Sequence, residues 1–164
     1  MGRWRRVGDE VERKFRVREV PPSLGEGTRL RQAYVALDGE VEVRVRDQGG
    51  TSVLTVKGGR GLQRTEVEVE IGPAEFDELW ALAPDRRIEK TRHRVALDDH
   101  GHLTAEVDVY AGALEGLVVV EVEFADPRQA AAFVPPPWFG DEVTGDEAWS
   151  NAALATSGRP PTST

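Results

Sequence analysis

Alternation with a period of two runs through most of the chain, and its polar positions are charged and sorted by sign. In TEVEVEI, Val67, Val69 and Ile71 oppose Glu66, Glu68 and Glu70. In RIEKTRHRVAL, Lys90, Arg92 and Arg94 share one parity. EVEVRVRDQ sets Val41, Val43 and Val45 against Glu40, Glu42, Arg44 and Arg46. LTAEVDVY sets Glu106 and Asp108 against Val107 and Val109, and LVVVEVEF sets Glu121 and Glu123 against Val120, Val122 and Phe124. Near the N-terminus, GDEVERKFRV places Glu10, Glu12, Lys14 and Arg16 opposite Val11, Phe15 and Val17. A period of two is that of a β-strand with two unlike faces. Turn sequences separate the runs: PPSLGEG, DG at Asp38, QGG, GGRG, DDHGH and AGALEG. Short sequential strands joined by tight turns predict a mainly β, antiparallel fold of about eight strands. Three helices interrupt it. GPAEFDELWALA carries Pro73 near its first turn and Phe76, Leu79 and Trp80 at helical spacing; DPRQAAAFV and TGDEAWSNAALA are the other two.

One charged face is explained by water. A set of faces each carrying one sign is not, because like charges at i and i+2 repel and a fold gains nothing from them unless something binds between. The valine-rich face must be buried. In a closed sheet it either fills the inside of a small barrel or lies outward under helices, with the charges lining a lumen. Three helices with bulky apolar faces suit the second arrangement. Acids and bases sharing a lumen suit a polyanion together with a hard cation: carboxylates hold Mg²⁺, which bridges to phosphate oxygens, and Arg and Lys clamp the same phosphates.

Composition narrows the partners. The 164 residues fit one domain, and the net charge of -8 argues against affinity for nucleic acid or an anionic membrane. Without cysteine there is no disulfide and no thiolate ligand or nucleophile, which is compatible with the cytoplasm, the expected location. MGRWRRVG is basic with no apolar segment after it, so no signal peptide is read there. No apolar run approaches the roughly 20 residues of a membrane span. Residues 1–8 and the polar, proline-rich tail at 157–164 are expected to be disordered, leaving 9–156 as the folded domain.

These residues resemble the CYTH superfamily, the triphosphate tunnel metalloenzymes. EVERK matches its E-x-E-x-K signature; RVR at Arg44 to Arg46 fits its R-x-R; LTVKGG fits its lysine strand; RTEVEVEI fits its acidic strand. RRIEKTRHRV fits its basic strand, and EVDVYAGALEGLVVVEVEF its D-x-F-x-G-x-L-x-G-L and final E-x-E. The likeness runs from about Glu10 to Ala155 in order and spacing. It implies a closed eight-stranded antiparallel tunnel barrel with a charged lumen and outer helices. The implied activity is Mg²⁺- or Mn²⁺-dependent hydrolysis of inorganic tripolyphosphate, as in the short bacterial members. The other readings are hydrolysis of a nucleoside triphosphate or thiamine triphosphate, and a triphosphate-binding module without turnover.

Carried onto this sequence, the resemblance implies metal ligands among Glu10, Glu12, Glu66, Glu68, Asp108, Glu121 and Glu123. It implies phosphate contacts from Lys14, Arg44, Arg46, Lys57, Lys90 and Arg92. Tyr34, in RQAY, falls on the family's Q-G-Y tyrosine, with Ala33 in place of the glycine. Lys14 and Lys90 lie among cations or metal ligands and are the general acid–base candidates. One departure stands out: relatives often carry basic residues in the C-terminal helix that closes one tunnel end, where this chain has Glu147, Ala148 and Ser150. TVKGGRG lacks the order of a P-loop and reads as a hairpin turn. His100 and His102 are read as surface residues, and Trp80, Trp138 and Phe139 as packing.

Overall fold

The computed structural model describes residues 5–6, 11–39, 41–58, 65–98 and 102–161. Its strands are β1 (Arg5–Arg6), β2 (Val11–Val17), β3 (Gly27–Asp38), β4 (Val41–Gln48), β5 (Thr51–Gly58), β6 (Thr65–Ile71), β7 (Arg87–Ala96), β8 (Thr104–Ala111), β9 (Val118–Phe124) and β10 (Phe139–Glu142). Helices α1 (Pro73–Ala81), α2 (Pro127–Ala132) and α3 (Asn151–Ser157) accompany short 3₁₀ turns at Gly112–Leu114 and Glu147–Trp149. The strands form one antiparallel sheet in the order β1-β6-β5-β4-β3-β7-β8-β9-β2-β10. Of the eight long strands, β2, β4 and β6 to β9 are the alternating runs set out from the sequence, and β3 and β5 complete the expected number.

The expected closure is not formed by backbone hydrogen bonds among the described residues. Closure would join β6 to β2, but the outer edge of each already has a short partner. Arg5 pairs with Glu68 and Arg6 with Val67 on the β6 side. Phe139 pairs with Val17 and Glu142 with Phe15 on the β2 side. The sheet nevertheless curls, as twisted antiparallel sheets do, until all eight long strands line one cavity. Residues 59–61 of the GGRG turn and His100 fall outside the described residues.

The outward face is apolar. Phe15, Ala105, Val107, Val120, Val122 and Phe124 form one core with Ala130 of α2 and Phe139 of β10. Phe76 of α1 packs with Ala33, Val45 and Ala83 in another, against which Trp80 also rests. Full burial of a side chain like Phe76 is worth roughly 1.5–3 kcal/mol. Pro73 opens α1 without giving up a needed N–H. The Asp126 carboxylate opens α2 by accepting from the backbone N–H groups of Arg128 and Gln129.

The third helix is not the continuous outer helix that its sequence suggests, though it takes the tunnel-closing place that the resemblance implies. It is broken at Ser150, whose extended backbone ends the 3₁₀ turn and whose hydroxyl accepts from Ala153 N–H to start α3. It also does not sit on the outside. Trp149 and Leu154 pack against Ile88, Tyr110 and Val119, which share strand parity with Lys90, Asp108 and Glu121. The inner face is therefore apolar at one end, where the C-terminal segment closes it, and charged beyond.

Candidate active site

The cavity has a volume of about 700 Å³. Its cations are Arg44 and Arg46 of β4, Lys57 of β5, and Lys90, Arg92 and Arg94 of β7. Its carboxylates are Glu12 of β2, Glu66 and Glu68 of β6, Glu106 of β8, and Glu121 and Glu123 of β9. One strand supplies up to three layers of side chains, because alternate residues point inward and successive inward residues step along the strand.

Most of the residues singled out from sequence meet here. Lys14, Tyr34 and Asp108 stand in the wall behind the lining. Glu10 lies outside the described residues. Arg94 and Glu106 share the parity already noted but were not in the predicted set; their alternation was the available signal. Gln32 and Asn151 also line the cavity. Gln32 shares the parity of Tyr34 two residues on, and Asn151 carries no sequence signal.

At the centre is a fully buried carboxylate. Asp108 is 0% exposed. Arg92 grips it from two sides, Nε to Oδ1 at 2.7 Å and Nη2 to Oδ2 at 2.7 Å, and Lys90 Nζ also donates to Oδ2. Arg92 further donates to Glu106, and to Glu121 Oε2 at 2.9 Å. Lys14 Nζ meets the other Glu121 oxygen at 2.9 Å. Burial works to raise the Glu121 pKa, but Lys14, Lys90 and Arg92 outweigh it and hold the carboxyl at about 2. Burial pushes Lys90 below the ordinary lysine value; Asp108 opposes that shift and Arg92 assists it. Burial also lowers Arg46, with help from the Arg44 charge. Tyr34 and Tyr110 are raised, mainly by burial, and stay neutral phenols. The Tyr34 hydroxyl accepts from Gln32 Nε2 at 2.7 Å, below the cavity floor.

The opposite wall is looser. Lys57 Nζ is 3.0 Å from Glu66, whereas Arg44 Nη2 is 3.9 Å from both Glu66 and Glu68. Thr55 donates to Glu68 at 3.0 Å. The Nε of Arg44 is buried without a hydrogen-bond partner in the protein. A buried guanidinium with an unused donor is costly.

Among the described residues, no three carboxylates or histidines converge into a ready-made metal shell. The donor chemistry still fits a hard divalent cation. Glu12 faces Glu123 directly across β2 and β9, and Glu106 faces Glu121 across β8 and β9. Like charges opposite one another cost stability in a sheet, and carboxylate oxygens are the ligands that Mg²⁺ and Mn²⁺ take. The arrangement can neutralise a polyanion from the basic side while holding a cation on the acidic side.

Comparison with known proteins places this geometry. Residues 8–134 match the model of the CYTH domain. The chain is 45% identical over 149 residues to an inorganic triphosphatase of Nitrosomonas europaea, covering 90% of this chain and 97% of that one. It is 38% identical over 151 residues to an inorganic triphosphatase of Acetivibrio thermocellus, covering 90% and 94%. Its structure resembles the crystal structure of the inorganic triphosphatase NE1496 with a TM-score of 0.74 and 41% identity, covering 94% of this chain and 99% of that one. With its sorted inner charges and these likenesses spanning nearly the whole chain, this protein belongs to the CYTH family.

Proposed function

We propose that the protein hydrolyses inorganic tripolyphosphate to pyrophosphate and phosphate inside this cavity, with Mg²⁺ or Mn²⁺ as the cofactor. The observation that carries the reading is a single cavity lined by both six cations and six carboxylates, in a chain so similar to inorganic triphosphatases.

Arg44, Arg46, Lys57 and Arg92, which line the cavity, would bind the phosphate oxygens. Glu10, Glu12, Glu66, Glu68, Glu121 and Glu123 form the proposed metal-binding set. When bound there, the metal ion supplies charge neutralisation at the bridging and leaving oxygens. Asp108 is fully buried behind the lining, with both oxygens taken by Arg92 and Lys90, whereas Glu121 lines the cavity; the role of Asp108 in this reading is to aim those two cations. Lys14 and Lys90 flank Glu121 and stabilise charge on the reacting phosphate, and Lys90 hands a proton to the departing oxygen. Tyr34 orients Gln32 from beneath.

Phosphate release tests this. Tripolyphosphate, ATP, GTP, thiamine triphosphate and pyrophosphate are each offered with Mg²⁺ and with Mn²⁺. Fastest release from tripolyphosphate is expected. Saturable tripolyphosphate binding with no release would replace the enzyme by a binding module, and faster release from an organic triphosphate would reassign the substrate.

A further inference from the structure

Lys90 is held on two sides. Its ammonium donates to Asp108 and lies 5.3 Å from the centroid of the Tyr110 ring, within the range of a cation–π contact. Asp108 cannot fix it alone, because that carboxylate is shared with the two-pronged grip of Arg92. A lysine has a long flexible stem, so the aromatic face is what turns one contact into a defined position.

The ring is itself held. Tyr110 is buried in a cluster with Ile88, Leu114, Leu117 and Val119, apolar groups that give nothing for its hydroxyl. That hydroxyl donates to Asn151 Oδ1 at 3.0 Å. Asn151 is the first residue of α3, the helix anchored in the closed end of the lumen by Leu154. A continuous strut thus runs from the C-terminal helix through Asn151 and Tyr110 to the ammonium of Lys90.

We propose that Tyr110 and Asn151 are positioning residues for Lys90, so that α3 sets the placement of this lysine as well as closing the cavity. The proposal deepens the triphosphatase reading and rests on it for its effect on turnover. Displacing a reacting group by even a fraction of its bond-forming distance lowers the rate without weakening substrate binding much.

The test uses Tyr110→Phe, Asn151→Ala and the double variant in tripolyphosphate hydrolysis with Mg²⁺. Loss of one neutral hydrogen bond predicts a fall in kcat of about threefold to tenfold in each single variant. KM should stay within about twofold, and the double variant should be no worse than the poorer single one, because both break the same link. Asn151→Asp keeps an acceptor for the Tyr110 hydroxyl and should recover kcat relative to Asn151→Ala. Multiplying effects in the double variant would overturn the proposal. So would a higher KM at unchanged kcat in Asn151→Ala, which would make Asn151 a substrate contact instead. If the unsubstituted protein releases no phosphate, the functional reading falls, and the strut is judged by denaturation. Lys90→Met and Asn151→Ala combined should then lower the urea midpoint by less than the sum of the single losses, and strict additivity would overturn it.

Discussion

Lys14 and Glu121 sit directly opposite one another on β2 and β9, and their side chains close the register pair with a 2.9 Å contact inside the cavity wall. The pair ties the signature strand to the last acidic strand. It also leaves Lys14 a short reach from anything bound near Glu121. Replacing Lys14 by Ala is expected to lower kcat on tripolyphosphate by about 10²–10³, the usual cost of removing one charge-stabilising donor. Steady-state phosphate release checks it, and unchanged turnover would remove Lys14 from the reaction.

Arg92 should matter to folding as well as to turnover. It contacts Asp108, Glu106 and Glu121. Arg92→Met leaves Asp108 buried with Lys90 as its remaining cation partner. Breaking a buried pair from one side costs about 3–5 kcal/mol. Chemical denaturation without metal should show a loss of that order. Adding Asp108→Asn should deepen it, because the buried Lys90 ammonium then loses the carboxylate it donates to.

Acid stability should respond to a pair outside the cavity. Arg13 Nε and Nη2 donate to Glu142 at 2.8 and 2.6 Å, and the Thr144 hydroxyl donates to it at 2.7 Å. The hydrogen bonds from Arg13 hold Glu142 below the usual carboxylate value; burial opposes this slightly, and Thr144 adds to it. A carboxyl depressed in the folded state stabilises the protein above its unfolded pKa of about 4.3. That contribution fades as pH falls through the lower folded value. Glu142→Gln should therefore be less stable at neutral pH by about 0.5–1 kcal/mol, allowing for solvent screening of a half-exposed pair. The gap should close in acid. Denaturation midpoints at a series of pH values measure it.

Much of this was legible in the sequence because a strand's parity decides which side chains share a face. Glu66 and Glu68, Lys90 and Arg92, and Glu121 and Glu123 reach one cavity for that reason. The same parity also held a signal that charge obscured: Ile88, Tyr110 and Val119 continue the inner faces beyond Lys90, Asp108 and Glu121, and mark the apolar closed end. Closure of the barrel was not legible, because alternation says nothing about what occupies a strand edge; here Phe139 and Arg5 do. Nor was Asn151, a lone neutral residue whose place depends on Ser150 breaking the last helix. Gln32 and Tyr34 share a face by parity, but their burial and the hydrogen bond between them are not properties of the local sequence.

The facing glutamates give a prediction with two opposite signs. Glu12 and Glu123 are direct cross-strand partners and both line the cavity. Without metal, their repulsion is a cost that the fold carries, about 0.2–1 kcal/mol for such a pair. Glu123→Gln removes one charge and keeps the shape. It should raise the thermal midpoint of the metal-free protein while increasing the Mn²⁺ concentration needed for half-maximal tripolyphosphate hydrolysis. A ligand that binds only the folded state stabilises it in proportion to the logarithm of one plus the ratio of its concentration to Kd, so a tighter site gains more at any given concentration. Added Mn²⁺ should therefore stabilise the unsubstituted protein more than the variant, and at high Mn²⁺ the order of their midpoints should reverse. If the variant's midpoint is unchanged without metal and its Mn²⁺ titration matches that of the parent, Glu123 is neither a strained partner of Glu12 nor a metal ligand.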